Sequence, residues 1–265
     1  MLKYLLLSFV MGLAGMAAAE DSRLQRLDTG DEGRAWEAVG RLDLAGRGFC
    51  TGALIAPDLV LTAAHCLFDR ETGARLDYEK IEFLAGWRNG RASAYRWVRR
   101  AVIHPDYAFD RKEPAERVRN DLALLELHHP VRNTRVVPFK TDHQPRKGQQ
   151  IGVVSYARGR ADAPSLQEMC DVVTRRQGVL IMSCEVDFGA SGAPIFTFEA
   201  GVPRVVSVVS AMAEMDGRKV SLGTQLEGPL QDLMAAYESG AGEDGARRMF
   251  STGASRPESA KFARP

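Results

Sequence analysis

Short apolar stretches, separated by turn-rich segments, occupy most of the chain from Trp36 onward. Their lengths, their Val and Ile content, and the Gly, Pro and Asp residues between them favour β-strands over long helices. The clearest stretches lie at residues 53–55, 60–64, 81–85, 97–103, 122–127, 151–157, 179–182 and 205–209. The pattern predicts an all-β protein.

One segment near the carboxyl end has the period of an amphipathic helix. After Gly-Pro at positions 228 and 229, apolar residues recur at positions 230, 233, 234 and 237, which share one helical face. We expect this helix to pack its apolar stripe against the strands. No internal repeat is evident, and about 200 residues of short strands suit two small barrels or sandwiches joined in one unit.

The first 19 residues have the layout of a cleaved secretory signal. Lys3 gives a positive start, residues 4–10 are apolar apart from Ser8, and three alanines precede Glu20. A membrane anchor is the alternative, but the 16 residues from 4 to 19 fall short of the roughly 20 that a spanning helix needs. We expect a secreted or periplasmic protein with no membrane association after signal removal.

Polar and charged residues dominate both ends of the remaining chain. Residues 20–35 predict an exposed amino-terminal arm, and residues 240–265, rich in Gly, Ala, Ser and charge, predict a disordered tail. The folded domain is therefore expected to span residues 36–239.

The overall composition is that of an ordinary soluble globular protein, with 45% apolar and 26% charged residues. Lys and Arg number 35 and Asp and Glu number 34, so there is no basic excess for a phosphate-binding face. Nucleic acid is not an expected partner.

Four cysteines in an exported protein indicate two disulfides. Of the three possible connectivities, the simplest joins sequence neighbours, Cys50 with Cys66 and Cys170 with Cys184. Zinc binding is the competing use, but the sequence has no Cys-x-x-Cys pair and no paired histidines near these cysteines. We predict no metal site.

Three segments carry the candidate chemistry: residues 49–66 (FCTGALIAPDLVLTAAHC), 120–127 (NDLALLEL) and 188–194 (FGASGAP). Together they resemble the chymotrypsin-like serine proteases, which have a strand ending in T-A-A-H-C, a D-[IL]-A-L strand and a G-D-S-G-G-P turn, in this order. The resemblance is diffuse elsewhere and covers roughly residues 36–237. It implies two six-stranded antiparallel β-barrels of the chymotrypsin-like type, followed by the helix.

The resemblance also implies a catalytic triad. A serine hydroxyl is a poor nucleophile at neutral pH and needs an adjacent imidazole to accept its proton. Ser191 would attack the carbonyl, His65 would act as general base, and Asp121 would orient and stabilise His65. The implied activity is that of a serine endopeptidase, which acts on a peptide or protein, requires no cofactor and is expected to be a monomer.

Glycines around the nucleophile have physical roles of their own. By resemblance, the backbone N–H groups of Gly189 and Ser191 would form the oxyanion hole that stabilises the negative tetrahedral intermediate. Gly192 would relieve crowding beside the nucleophile, and Pro194 would stiffen the exit into the next strand.

The sequence departs from the digestive members of the family at Ala190. There those enzymes carry an Asp that pairs with an amino terminus released by activation cleavage, and no I-V-G-G start precedes Trp36 here. We therefore expect activity without an amino-terminal salt bridge, and tolerance of chain starts between Glu20 and Arg34. In this respect the chain is more similar to secreted bacterial trypsin-like and glutamyl-endopeptidase-like enzymes.

The substrate pocket receives two conflicting indications. Glu185 lies six residues before Ser191, where trypsin has the acid at the pocket floor, which favours Arg or Lys at the cleaved position. Ser210 matches the family's strand serine, and Met212, where a glycine is usual, would narrow the pocket toward small side chains. Both preferences remain open.

Two further functions compete with the protease. A catalytically silent or latent binding module is compatible with the same fold, since folds do not fix function. A hydrolase of esters would use the same three residues and differ only in its pocket. The remaining histidines, at positions 104, 128, 129 and 143, are expected to be structural or solvated loop residues.

Overall fold

The computed structural model describes residues 24–110, 114–143 and 145–242. The predicted signal at residues 1–19 and the tail from residue 243 onward lie outside the described residues, and both stay predictions.

Antiparallel β-strands account for most of the described chain, and the fold is all-β as predicted. The stretches named from the sequence all fall in or against strands. The strands are β1 (Gln25–Arg26), β2 (Val39–Leu44), β3 (Phe49–Ala56), β4 (Leu59–Thr62), β5 (Ile81–Ala85), β6 (Ala94–Ile103), β7 (Ala123–Leu127), β8 (Gln150–Ala157), β9 (Arg160–Arg176), β10 (Val179–Met182), β11 (Pro194–Glu199), β12 (Val202–Met215) and β13 (Arg218–Gln225).

The first barrel is closed, with strand order β2-β3-β4-β7-β6-β5. Alternate positions of its strands face the interior, for example Gly40, Leu42 and Leu44 of β2, while every residue of β4 and β7 is buried. Closure leaves no free strand edge within this barrel.

The second sheet has seven strands in the order β1-β9-β10-β13-β12-β11-β8. Strand β8 pairs with β11 on one side and with β9 on the other, so six of these strands close a ring and β1 is an addition to it. Long β9 was not among the stretches named from the sequence, because charged and polar residues interrupt its apolar positions.

The predicted helix is present as α2 (Pro229–Glu238), with Gly228 just before it and Leu233 fully buried. It packs beside β6 and β7, where the guanidinium of Arg100 lies 4.0 Å from the centre of the Tyr237 ring. A second, six-residue helix, α1 (Pro114–Arg119), was not expected from the sequence. Among the described residues, no helix has the length and apolar character required to cross a membrane.

An aromatic cluster holds the two barrels together. The Trp36 ring lies 5.1 Å from Phe196 of β11 and 6.2 Å from Phe139 in the segment between the barrels. Phe139 and Phe196 meet edge to face at 4.8 Å. The two barrels thus share a continuous apolar core at their junction.

The amino-terminal segment is not simply the exposed arm that its polarity suggested. Most residues between 24 and 35 are exposed, but β1 pairs with β9 and Leu27 is 1% exposed. The Leu27 carbonyl also accepts a hydrogen bond from Arg88 Nε at 2.9 Å. The sequence alone did not indicate this contact, because one buried leucine among charged neighbours gives no periodic signal. Chain starts beyond Leu27 would lose these contacts.

We predict that Leu27→Ala lowers the free energy of unfolding by about 2 to 4 kcal/mol, because it removes a fully buried leucine side chain. Urea denaturation of the purified mature protein measures the change. Gln25→Ala, at an exposed position two residues earlier in the chain, is the matched control and should stay within about 0.5 kcal/mol of wild type. Equal effects of the two substitutions would contradict the packing role of Leu27.

Candidate active site

The three predicted catalytic residues come from three different turns. His65 lies in a 3₁₀ turn (Ala64–Leu67) that follows β4, and Asp121 lies just before β7. Ser191 lies in the turn that leads into β11. Cys50 and Cys66 form a disulfide that ties β3 to the turn of His65.

His65 and Asp121 are held together by two contacts. The backbone N–H of His65 donates to Asp121 Oδ1 at 2.9 Å, and His65 Nδ1 lies 2.7 Å from Asp121 Oδ2. An ionised carboxylate only accepts hydrogen bonds, so the shared hydrogen belongs to Nδ1. In the neutral imidazole, Nε2 is then the acceptor nitrogen, which is the form a general base requires.

The carboxylate of Asp121 is also linked to the second barrel. Ser210 of β12 donates its hydroxyl hydrogen to Asp121 Oδ2. Asp121 is 2% exposed, and its three donors compensate a carboxylate that has lost its water. Burial, followed by the negative charge of Asp121, raises the pKa of Tyr107 well above its usual value.

Backbone hydrogen bonds fix the turn that carries Ser191. The N–H of Ala190 donates to Asp187 at 2.9 Å, and the N–H of Gly192 donates to Val209 of β12 at 2.7 Å. The Ser191 carbonyl accepts from the N–H of Thr51 at 2.9 Å, so the first barrel also supports the turn.

Thr51 and Thr62 are supporting residues that the sequence reasoning missed. Thr51 donates its hydroxyl hydrogen to the carbonyl of Gly189 at 2.9 Å, and Thr62 donates to the carbonyl of Thr51 at 2.8 Å. Both lie within the motif of residues 49–66, and Thr51 follows Cys50 directly. The sequence feature that could have identified them is that both are polar residues in otherwise apolar strands.

The N–H groups proposed for the oxyanion hole are free in the part of the chain that the structure describes, where neither Gly189 nor Ser191 donates a backbone hydrogen bond. Gly189 has φ of +99°, a conformation that favours glycine. Two unpaired N–H groups beside a serine are suited to stabilising a developing oxyanion.

A cavity of about 220 Å³ lies beside Ser191 and His65. Ser210 and Met212, both predicted as pocket residues, line it. Its other lining residues come from the segment before the nucleophile turn, the neighbouring part of β12 and an exposed arginine: Arg70, Val186, Asp187, Phe188, Val209 and Ala211. The cavity is therefore largely apolar.

Glu185 does not line this cavity, so the structure does not support it as the pocket-floor acid. It is exposed, and its backbone N–H donates to the Gln167 side chain at 2.8 Å. Burial lowers the pKa of Arg160, and the carboxylates of Asp187 and Glu185 oppose this effect. The charge of Glu185 is thus near Arg160, and its side chain is not among those that line the cavity beside Ser191.

The second predicted disulfide, Cys170–Cys184, is also present and joins β9 to that same segment. Metal-ligating residue types come together within the described residues at Cys50, His65 and Cys66. Both cysteines there belong to a disulfide and offer no thiolate, while Nδ1 of His65 is bonded to Asp121. This group is unsuited to a metal ion.

His104 has a structural position. It is 2% exposed, and its Nδ1 accepts a hydrogen bond from the backbone N–H of Asp106 at 3.1 Å. Burial lowers the pKa of His104, which favours the neutral ring, although Asp106 and Asp232 oppose the shift.

The family model of the trypsin-like peptidase domain matches residues 50–205, more than half of the chain. This chain belongs to the trypsin-like peptidase family. The match includes His65, Asp121 and Ser191, and the family assignment suggested by the three sequence motifs is confirmed.

The matches to individual relatives cover only part of this chain. Modular serine protease of Drosophila melanogaster is 36% identical over 90 residues, 33% of this chain and 14% of that protein. Human serine protease 23 is 27% identical over 164 residues, 56% of this chain and 42% of that protein. The chain thus spans less than half the length of either relative.

A solved structure supports the fold. A Glu endopeptidase in complex with MPD superposes with a TM-score of 0.67 over 83% of this chain and 98% of that chain, at 15% sequence identity. At this identity the likeness concerns the fold alone, and it agrees with the two-barrel architecture expected from the trypsin-like peptidase family.

We predict that Gly192→Ala destabilises the protein far more than Gly159→Ala. Both glycines have φ of +76°, so both substitutions carry the same left-handed strain of about 1 kcal/mol. A Cβ at Gly192 would lie 2.1 Å from Thr62 Oγ1 and 2.4 Å from the Thr51 carbonyl oxygen. At Gly159, no atom of the described residues beyond its chain neighbours would lie within 4 Å of such a Cβ.

Urea denaturation of the two variants isolates the crowding, since the backbone strain cancels in the comparison. We expect at least about 2 kcal/mol of additional loss for Gly192→Ala. Equal losses would mean that the nucleophile turn is not packed against Thr51 and Thr62 as described.

Proposed function

We propose that this chain is a secreted or periplasmic serine endopeptidase that cleaves peptide bonds through an acyl-enzyme on Ser191. His65 acts as the general base and Asp121 orients it. The observation that carries the proposal is the 2.7 Å contact between His65 Nδ1 and Asp121, beside a cavity that both His65 and Ser191 line.

The chemistry follows from the proton positions. His65 Nε2 takes the hydroxyl proton of Ser191 as its oxygen attacks the substrate carbonyl, and the resulting imidazolium is stabilised by Asp121. The imidazolium then gives this proton to the leaving amine as the peptide bond breaks. Water attacks the acyl-enzyme by the same route in reverse, which releases the acid and restores Ser191.

Charge that develops on the carbonyl oxygen requires donors that are already in place. The unpaired N–H groups of Gly189 and Ser191 support an oxyanion hole at this turn. A site assembled in this way argues against a catalytically silent binding module, since such a module has no need of oriented donors.

The proposed export is supported by the disulfides and by the amino-terminal sequence. Both disulfides require an oxidising compartment such as the periplasm or the medium, and the first 19 residues have the layout of a secretory signal.

The cavity beside Ser191 supports a preference for small apolar side chains at the cleaved position. Val186, Val209, Ala211 and Met212 contribute apolar surface to about 220 Å³. Asp187 is the acid among the lining residues, but its Oδ1 accepts from the N–H of Phe188 at 2.6 Å and its charge is near Arg160. Of the two indications from the sequence, the narrowing by Met212 is the one this geometry favours.

We predict that a fluorophosphonate probe labels the purified mature protein stoichiometrically at Ser191, because only an activated serine reacts at an appreciable rate. Peptide mapping of the labelled protein identifies the residue, and Ser191→Ala serves as the control. Peptide turnover should fall about a millionfold in Ser191→Ala and about ten-thousandfold in Asp121→Asn, in which His65 adopts the wrong tautomer.

Failure to label folded, disulfide-intact protein would contradict the proposal and favour a latent enzyme or a binding module. Label on Ser191 with turnover of esters but not of peptides would favour the ester hydrolase.

We predict that Met212→Ala changes the ratio of kcat/KM between two kinds of substrate, those with Leu or Phe at the cleaved position and those with Ala there. This ratio should rise about tenfold, because the substitution removes a side chain that narrows the cavity. Anilide substrates that differ only at this position measure the ratio. Met215→Ala, on the same strand outside the cavity, is the matched control and should leave the ratio unchanged. A wild-type preference for Arg or Lys would overturn this interpretation.

A further inference from the structure

A second and larger cavity, of about 620 Å³, is also lined by His65. It is bordered by the Cys50–Cys66 disulfide and shares His65, Arg70 and Phe188 with the cavity beside Ser191. Three aromatic rings and three guanidinium groups contribute to its lining: Phe49, Phe68, Phe188, Arg47, Arg70 and Arg158. This combination is not required by the triad chemistry.

The proposed mechanism determines which part of a substrate reaches this cavity. The acyl part of the substrate is bonded to Ser191 and enters the cavity that Ser191 and β12 line. The leaving amine receives its proton from His65, so the chain that follows the scissile bond departs on the His65 side. The larger cavity is therefore placed to contact the residues just after the scissile bond.

The arginines of the larger cavity differ in whether a carboxylate neutralises their charge. Arg47 forms an ion pair with Asp69, and the N–H of Thr72, followed by Arg47, holds the pKa of Asp69 at about 2. Those two charges therefore offset each other throughout the neutral range.

Arg70 and Arg158 form no ion pair with a carboxylate in the parts of the chain that the structure describes. Both are exposed, and Glu71 is the remaining acid of the lining. With Asp69 ionised and His65 neutral, the lining has a formal charge of +1.

Phe188 positions these two arginines. The guanidinium of Arg158 lies 4.5 Å from the centre of its ring and that of Arg70 lies 5.6 Å from it. Such contacts orient a guanidinium and leave its N–H groups in the plane available to an acceptor. Phe188 directly precedes Gly189 of the proposed oxyanion hole, so both guanidinium groups lie against the residue that leads into the nucleophile turn.

We propose that Arg70 and Arg158, oriented on the ring of Phe188, select substrates with Asp or Glu at the first or second position after the scissile bond. This inference rests on the proposed protease activity, and it adds a preference on the leaving side of the scissile bond to the one that the cavity beside Ser191 supports on the acyl side. Side chains of an extended peptide alternate in direction, so one of the two positions faces the arginines.

The proposal is tested by measuring kcat/KM for two series of peptides. One series has Glu, Gln or Lys at the first position after the scissile bond, and the other has them at the second position. We expect Glu to exceed Gln about fivefold at one of the positions, the scale of an exposed ion pair, with Lys lower again. The preference should weaken in about 1 M salt, where the screening length is near 3 Å. Equal rates for the three peptides at both positions would overturn the proposal.

Variants assign the preference to these residues. Arg158→Gln and Arg70→Gln should each reduce the ratio of Glu to Lys, and Arg158→Glu should favour Lys. Arg135→Gln removes an exposed arginine that lines a separate cavity with Glu37 and Ser93, and it should leave the ratio unchanged. An unchanged ratio in all the Arg70 and Arg158 variants would also overturn the proposal.

An anilide substrate separates this proposal from the proposed function, because its leaving group carries no amino acid. Turnover of the anilide without discrimination among the peptides would refute the leaving-side preference alone. If neither anilide nor peptide is cleaved, the proposed function fails, and binding of the same peptides to Ser191→Ala, followed by fluorescence anisotropy, still tests the arginines. Equal affinities for the Glu and Lys peptides there would exclude the preference as well.

Discussion

The architecture of the candidate active site depends on one buried carboxylate, Asp121, at the meeting point of the two barrels. A charge at this depth is tolerated only where donors replace its water. Two donors come from His65 in the first barrel and one comes from Ser210 in the second. If the barrels moved apart, the Asp121 carboxylate would lose one of its hydrogen-bond donors. The need to keep all three donors therefore aligns His65 and also fixes how the two barrels pack.

Local chemistry explains why the sequence was sufficient to predict much of the fold and the site. His65, Asp121 and Ser191 each lie at the edge of a short motif whose strand and turn residues are adjacent in sequence, so the motif and its structure can be recognised together. The helix α2 was predictable because its four apolar residues share one face. The disulfide pairing followed from the simplest connectivity.

Features built from distant segments could not be predicted in this way. The larger cavity joins Arg70, after the His65 turn, to Arg158, between β8 and β9, and no sequence spacing relates the two. Glu185 illustrates the same limit, because a count of six residues before Ser191 does not determine which cavity its side chain lines once Cys184 is tied to β9. Leu27 was missed because a single buried residue has no period.

Ala190 connects the packing of the nucleophile turn to the question of activation. It is fully buried, so an ionised Asp there would require a cationic partner to offset its desolvation. With a methyl group at this position, no such charge exists. The turn is held instead by neutral hydrogen bonds, from Ala190 to Asp187 and from Gly192 to Val209, and by the contacts of Thr51 with Gly189 and Ser191. These bonds form as the barrels fold, so we predict that the geometry of the turn does not depend on releasing a new amino terminus.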